Sequence, residues 1–109
     1  MKIQLTGLTD VGKKRDHNED YFITNPEIKL SIVCDGMGGH AAGEVASEMA
    51  ANSISRYLLQ NKNILDQYTL VQNNQNADDI NSLIHDAVIN ACAEVWDVSI
   101  NDEDKRGMG

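Results

Sequence analysis

The amino-acid sequence predicts an α+β fold, with short strands in the first third of the chain and two long helices after them. Strands are expected at residues 2–9, 21–24 and 29–34, where apolar residues alternate or form short runs. Helices are expected at about 43–60 and 76–98, where apolar residues recur at helical spacing. Strands two and three are close enough in sequence to pair as an antiparallel hairpin.

The three strand predictions rest on different signals. In the first, Ile3, Leu5 and Gly7 alternate with neighbours that point the other way, which is a strand pattern over a short length. The second is closed by the turn dipeptide Asn25-Pro26. The third is rich in leucine, isoleucine and valine.

The helix predictions rest on apolar stripes. In the first helix, Ala42, Ala46 and Ala50 are small enough to let it approach a sheet closely. Residues 61–76 are polar and predict a surface connection. Asn76 is the predicted N-cap of the second helix. The stripe of this second helix is the clearest in the chain and comprises Ile80, Leu83, Ile84, Ala87, Val88, Ala91, Val95 and Val98.

Composition and charge narrow the class of protein. The chain has 109 residues, of which 41% are hydrophobic and 24% charged, as expected for one small folded domain. Its net charge of -8 argues against nucleic acid as a partner, because phosphate backbones bind clustered lysine and arginine. No segment resembles a signal peptide or approaches the length of a membrane span, so a cytoplasmic protein without a membrane partner is expected.

The two cysteines predict free thiols. Cys34 and Cys92 both lie among apolar residues, so buried thiols in a reducing compartment are the expected state. A disulfide between them stays open at this point.

Two clusters of acids adjoin apolar strands. Asp35-Gly36 ends the third predicted strand, and Glu19-Asp20, with Arg15 nearby, precedes the second. Taken singly, each cluster is consistent with a solvated loop or an ordinary turn. Together they indicate more, because a carboxylate at a buried strand end needs a partner or a metal. The pattern therefore predicts a site for hard divalent cations.

A calcium-binding loop is one alternative for the first cluster. Asp16, Asn18 and Asp20 have the spacing that begins an EF-hand loop, and Glu27 falls at its twelfth position. However, Tyr21 occupies the sixth position, where the sharp turn needs glycine. The flanking segments also have strand patterns instead of helical ones.

A nucleotide-binding loop is a weaker alternative for the second cluster. Residues 36–41 match the loose dinucleotide pattern of spaced glycines. Asp35 immediately precedes them and would repel a pyrophosphate. A glycine pattern by itself is also weak evidence.

Both clusters are accounted for by one family resemblance. The run Thr9-Asp-Val-Gly-Lys-Lys-Arg-Asp-His-Asn-Glu-Asp20, followed by Val33-Cys-Asp-Gly-Met-Gly-Gly-His-Ala-Ala-Gly-Glu-Val-Ala-Ser47, resembles the opening motifs of the PP2C family of metal-dependent serine/threonine phosphatases, in its bacterial form. Gly107-Met108-Gly109 resembles the start of the family's M-G-T-T segment. The two long motifs together are highly specific.

The resemblance implies a role for each residue of the clusters. Asp35 would bridge two Mn²⁺ or Mg²⁺ ions, the Gly36 carbonyl would ligate one of them and Glu19 the other. Asp20 would orient the metal-activated water that attacks phosphorus, and Arg15 would grip the phosphate. Oxygen ligands suit these hard cations, and the planar guanidinium of arginine suits phosphate.

The general acid is a point of departure from the family. Some members carry a histidine directly after the Asp-Gly pair, where this chain has Met37. Because methionine cannot donate a proton, His40 is the candidate for this role. A loop-stabilising histidine is the alternative interpretation of His40. His17 and His85 are weaker candidates.

The resemblance also implies an architecture and partners. Residues 1–109 would be the N-terminal part of a single domain, a four-layer α/β/β/α sandwich whose two long helices pack antiparallel in one layer. Substrates would be phosphorylated proteins, with a serine/threonine kinase acting on the same targets. The family's later metal-binding aspartates have no counterpart in residues 50–109. A catalytically inactive fragment or binding module is therefore the alternative.

Overall fold

The computed structural model describes residues 3–39 and 41–109 and confirms the α+β class. Two strands form one antiparallel sheet, and three α-helices and a short 3-10 helix follow. In chain order the elements are β1 (Asp20–Asn25), β2 (Leu30–Asp35), α1 (Ala42–Gln60), α2 (Lys62–Leu70), α3 (Asn74–Asn101) and η1 (Glu103–Lys105).

The hairpin of β1 and β2 confirms two of the predicted strands. Its register places Asp20 opposite Asp35 and Tyr21 opposite Cys34. Because side chains alternate along a strand, the even-numbered positions of β2 share one face, which is half-buried against α1. The odd-numbered positions are exposed, with Val33 78% accessible.

The strand predicted at residues 2–9 is wrong for residues 3–9, and residue 2 lies outside the described part of the chain. A strand needs a neighbour to satisfy its backbone, and this segment does not pair with the hairpin edge. It lies instead across the exposed face of the hairpin, where the ring of Phe22 packs against the backbone of Gly7. The alternation of this segment therefore did not indicate a strand.

The helices α1 and α3 pack antiparallel, as predicted. Near one end of the pair, Ala42 and Ala46 of α1 cluster with Val95 of α3. Near the other end, Leu58 of α1 clusters with Leu83 of α3. The start of α1 thus meets the end of α3, and the end of α1 meets the start of α3. The two helices therefore run in opposite directions.

The surface connection predicted at residues 61–76 is wrong in part, because α2 occupies Lys62–Leu70. The polar composition of this segment predicted a loop and not a helix. In the structure, Ile64 and Leu65 pack against the cluster around Leu58. Burial of this small apolar face stabilises the helix.

The predicted N-cap of α3 is also wrong. The cap is Asn73, whose Oδ1 accepts the backbone N–H of Asn76 at 2.8 Å. Asn76 instead lies inside the helix and donates from Nδ2 to the carbonyl of Val71 at 2.7 Å. Asn73 therefore caps α3, whereas Asn76 joins α3 to the end of α2.

The segment after α3 folds back onto the start of α1. Met108 is buried in the cluster that contains Ala42 and Val95. Gly109 and Met37 exchange two backbone hydrogen bonds, with Met37 N–H donating at 2.7 Å and Gly109 N–H donating at 2.9 Å. These bonds attach the end of the segment to the glycine loop that follows β2.

Both cysteines are free thiols, but the prediction that both are buried is wrong, because neither is fully buried. Cys92 is exposed on α3, whereas Cys34 is half-buried on β2. Burial raises the pKa of the Cys34 thiol. In the parts of the chain that the structure describes, no helix has the length and hydropathy needed to cross a membrane.

Candidate active site

The end of the hairpin brings the two acidic clusters together. Asp20 and Asp35 are cross-strand partners, and the N–H of Gly36 donates to the carbonyl of Glu19 at 3.0 Å, continuing the ladder beyond them. Hydrogen-bonded and non-hydrogen-bonded pairs alternate in an antiparallel sheet, so Asp20 and Asp35 form a non-hydrogen-bonded pair. Side chains approach more closely in such pairs, and two carboxylates placed opposite each other repel.

Glu19 has a carboxylate oxygen without a partner. Its Oε2 is buried and accepts no hydrogen bond from any described residue. The carboxylate lies against Gly43 in the first turn of α1, where the helix dipole favours negative charge. A buried acceptor of this kind is costly unless a proton or a cation satisfies it.

Two glycines make this arrangement sterically feasible. A Cβ on Gly43 would collide with the carboxylate of Glu19, and a Cβ on Gly36 would collide with the backbone carbonyl of Gly43. From the sequence, Gly36 was expected only to contact a metal, and no role was expected for Gly43. The signal for a role of Gly43 was its position at the start of the motif Gly43-Glu-Val-Ala-Ser47.

Asn18 organises the loop that leads into β1, a role that the sequence analysis missed. Its Oδ1 accepts the N–H of Asp20 at 3.1 Å, and its Nδ2 donates to Thr9 Oγ1 at 2.7 Å. The neighbouring His17 contacts Glu44 of α1, with Nδ1 and Oε1 3.2 Å apart. These contacts attach the acidic loop both to the preceding segment and to α1.

The predicted phosphate-binding residue and the candidate general acids lie in different parts of the chain. Arg15 is exposed in the loop and forms no ion pair with any residue that the structure describes. His40 lies outside the described residues. Met37 has an exposed side chain, and His85 lies on α3 with Nδ1 3.6 Å from Asp86 Oδ1.

The donor set fits a hard cation but is small. Glu19, Asp20, Asp35 and the Gly36 carbonyl offer only oxygen, which Mn²⁺ and Mg²⁺ prefer. Within residues 3–39 and 41–109, no three side chains of histidine, cysteine, aspartate or glutamate converge closely enough to hold a metal ion.

The two alternative motifs lack their structural context. The would-be calcium loop contains strand β1, and its sixth residue, Tyr21, lies inside that strand. The glycine pattern at 36–41 does lie between a strand and a helix, but α1 is followed by α2 and the described sheet is antiparallel. Dinucleotide sites of this type need a parallel βαβ unit.

Comparison with known proteins finds relatives over about half of this chain. No protein-family model matches the chain. A protein phosphatase 2C-type protein of Streptococcus pyogenes is 48% identical over 59 residues, which are 51% of this chain and 23% of that protein. Over these residues the chain is similar to a PP2C-type phosphatase. The PP2C resemblance of the two motifs is thereby confirmed.

Two further phosphatases are similar to this chain. The protein phosphatase PhpP of Streptococcus pneumoniae is 44% identical over 55 residues, covering 48% of this chain and 22% of PhpP. The serine/threonine phosphatase Stp of Listeria innocua is 52% identical over 50 residues, covering 43% of this chain and 20% of Stp. The relatives are enzymes, and the chain spans about a fifth to a quarter of their length.

Proposed function

We propose that residues 1–109 are the N-terminal part of a PP2C-type domain and contribute to a metal-dependent protein serine/threonine phosphatase. The observation that carries this proposal is the juxtaposition of two opposed carboxylates, Asp20 and Asp35, with the unpartnered buried oxygen of Glu19. Uncompensated, this concentration of negative charge destabilises the hairpin end. A divalent cation bound at the hairpin end would offset this charge, with further ligands needed because these three side chains do not converge on one point among the described residues.

The proposed roles are those that the PP2C resemblance implies for these residues. Asp35, Glu19 and the Gly36 carbonyl hold Mn²⁺ or Mg²⁺, as two ions in the complete site. When bound, these ions supply positive charge toward the phosphoryl group and activate the attacking water. Asp20, fixed through the backbone by Asn18, orients that water. Arg15, which is exposed on the loop, binds the phosphate through its guanidinium.

The proton donor to the leaving group is part of the same proposal. We assign it to His40, since Met37 has no proton to give. The expected substrates are phosphoserine and phosphothreonine in proteins, modified by a serine/threonine kinase. The expected compartment is the cytoplasm.

A catalytically inactive segment or binding module is the second candidate. The small donor set favours it, because cation affinity rises with the number of charged ligands. In this case the acids bind a cation weakly and phosphate ester hydrolysis needs further ligands.

Metal binding is tested by thermal unfolding of the 109-residue chain with and without Mn²⁺. We expect Mn²⁺ to raise the midpoint, because a ligand that binds only the folded state stabilises it. Asp35→Asn should abolish this rise and, without metal, should leave stability equal or higher by about 0.2–1 kcal/mol, since it removes the repulsion with Asp20. Asp86→Asn on α3 is the matched control and should retain the full response to Mn²⁺. Equal responses in both variants would refute the metal site.

Catalysis is tested separately with an aryl phosphate and Mn²⁺. Turnover by the chain that Asp35→Ala abolishes supports the phosphatase and excludes the inactive module. Metal binding without turnover supports the second candidate.

A further inference from the structure

A run of three positive charges lies on the loop before β1. Lys13, Lys14 and Arg15 form the longest run of basic residues in a chain whose net charge is -8. All three are exposed, and none forms an ion pair with a residue that the structure describes. By contrast, Arg56 and Lys105 contact carboxylates at 3.0 and 2.8 Å. Although acids outnumber basic residues 17 to 9, the charge of this run is not neutralised within the described part of the chain.

The loop that carries this run is closed and lies next to the acidic site. Asn18 Nδ2 donates to Thr9 Oγ1 at 2.7 Å, which joins the two ends of the loop. The chain turns at Gly12, whose φ of 78° lies in the left-handed region that favours glycine. Because four residues span at most about 14 Å, Lys14 lies no farther than this from Asn18. Asn18 Oδ1 in turn accepts the N–H of Asp20, so the positive run and the opposed carboxylates are neighbours.

The proposed phosphatase chemistry uses only one of these three charges. A phosphoryl group on serine or threonine carries about two negative charges. In the proposed function this group is bound by the metal ions and by the planar guanidinium of Arg15. Lys13 and Lys14 remain without an anion to bind. Each has a compact ammonium group on a flexible stem, which suits a single carboxylate near the phosphorylated residue.

We propose that Lys13 and Lys14 bind acidic residues that flank the phosphorylated residue, so that acidic phosphopeptides are the preferred class of substrate. The inference rests on the proposed function for the position of the phosphate. An extended peptide advances about 3.3–3.6 Å per residue, and charge interactions reach about 8–10 Å at physiological salt. The acidic residues are therefore expected within about three residues of the phosphorylated one.

The surroundings of the run favour a short peptide over a nucleic acid. Asp10 and Asp16 lie on either side of the run in sequence, and Glu19 and Asp20 follow. A nucleic acid carries a phosphate at every nucleotide and would bring further phosphates against these acids. A peptide with a few acidic residues places its charge opposite the two lysines alone. Charge complementarity of this limited extent selects an acidic peptide.

Fluorescence anisotropy of the 109-residue chain with labelled phosphothreonine peptides tests the proposal. One peptide has a pair of glutamates on each side of the phosphothreonine, and the reference peptide has glutamines in their place. Both are titrated at about 50 mM salt without divalent cation, so that neither hydrolysis nor metal binding by the peptide interferes. We expect the glutamate peptide to bind about threefold to tenfold more tightly, the range that a few exposed ion pairs supply. The difference should vanish near about 1 M salt.

Paired variants separate the effect of the run from that of overall charge. Lys13→Gln with Lys14→Gln should remove the preference for glutamate. Lys13→Arg with Lys14→Arg should retain it, because the recognition depends on charge and not on the shape of the ammonium group. Lys29→Gln with Lys62→Gln is the matched control and should leave the preference unchanged. It removes the same charge at the turn end of the hairpin, the end away from Asp20.

Three outcomes would overturn the proposal. They are equal affinity for the two peptides up to about millimolar chain, equal losses in the glutamine variant of the run and in its matched control, and tighter binding of an oligothymidylate of the same charge than of the glutamate peptide. The last outcome would identify a nucleic acid as the partner.

Failure of this inference is distinguishable from failure of the proposed function. Loss of the glutamate preference together with an intact response to Mn²⁺ that depends on Asp35 would overturn this inference alone. A preference for glutamate without any response to Mn²⁺ would overturn the metal site and support acidic peptide binding by an inactive module.

Discussion

Gly36 and Gly43 are neighbours in space, yet a methyl group on each would strike a different kind of atom. On Gly36 it would meet the backbone carbonyl of Gly43, with the carbonyl carbon only 2.7 Å away. On Gly43 it would meet the carboxylate of Glu19, whose Cδ is 2.6 Å away. Backbone cannot yield without moving α1, whereas the end of a glutamate side chain can rotate.

The two alanine substitutions should therefore separate stability from metal binding. Gly36→Ala should lower the free energy of unfolding by about 1–3 kcal/mol through overpacking. Gly43→Ala should change it little, because gained helix propensity offsets the displaced side chain, but should weaken Mn²⁺ binding about tenfold. Denaturant unfolding and Mn²⁺ titration measure the two effects. Gly39→Ala is the control, since its methyl would meet nothing within 4 Å. A large loss of stability in Gly43→Ala would contradict this account.

Asp102 and Lys105 attach the last segment of the chain to the end of α3. Lys105 Nζ donates to Asp102 Oδ2 at 2.8 Å, and the N–H of Asp104 donates to Asp102 Oδ1 at 3.0 Å. The hydrogen bond from Lys105, followed by that from Asp104, lowers the pKa of Asp102 below its ordinary 3.8. The same pair raises the pKa of Lys105 above 10.5.

The pH dependence of the last segment follows from these directions. The contribution of Asp102 to the stability of this segment is present above pH 3.8 and is lost as the pH falls through the lowered pKa. The Lys105 contribution is present below pH 10.5 and is lost as the pH rises through the raised pKa. We expect amide exchange at Met108 to accelerate at both extremes. Subtracting the profile of Asp102→Asn isolates the pair, and identical profiles in both proteins would disprove this role.

At the scale of elements, the segment after η1 is a structural part of the site region. It places Met108 between α1 and α3 and pairs Gly109 with Met37, two residues beyond Asp35. The sequence resemblance identified this segment only as the start of another motif. Met108 and Gly109 line one end of an apolar groove between α1 and α3. Gly109 also holds the glycine loop through its two hydrogen bonds with Met37.

Two methionines in this region should respond very differently to truncation. Met108→Ala removes a buried side chain, 6% accessible, and should cost about 2–4 kcal/mol of stability. Met37→Ala removes one that is 65% accessible and should stay within about 0.5 kcal/mol of the natural chain. Thermal or urea unfolding measures both. Comparable losses would mean that the segment is not packed as described.

At the scale of the whole molecule, the chain is flat and its core is thin. It measures 47 × 31 × 18 Å, with a radius of gyration of 16.0 Å, whereas a compact domain of this length has about 13 Å. The largest fully buried side chain in the described part is that of Ser53. Most buried apolar positions are alanines, which contribute little hydrophobic free energy.

A thin core predicts marginal stability of the isolated chain. We expect a free energy of unfolding at or below about 5 kcal/mol, the lower limit for ordinary domains. The apolar groove between α1 and α3 exposes the side chains of Val88 and Trp96. The folded chain should therefore also bind an environment-sensitive dye such as ANS. Urea unfolding and dye fluorescence test this, and a stability near about 10 kcal/mol without dye binding would be inconsistent with the described packing.

Local patterns in the sequence were sufficient for much of this fold. The hairpin at 20–35 and the helices α1 and α3 were predictable because alternation and helical periodicity are set by the face that each element buries. The two acidic motifs were also recognisable, since their spacing is specific. The position of His40 relative to these acids and the roles of the individual site residues stay predictions.

The tertiary structure alone decided the relations between distant segments. No local pattern shows that Gly43 must lack a side chain to admit Glu19, or that Met108 returns to the start of α1, because both depend on contacts between residues far apart in sequence. The same holds for residues 3–9, whose alternation fits a strand but whose backbone found no partner. Sequence determined which faces are apolar and which residues are acidic. Packing determined which of them meet, since burial and backbone hydrogen bonding are satisfied only in three dimensions.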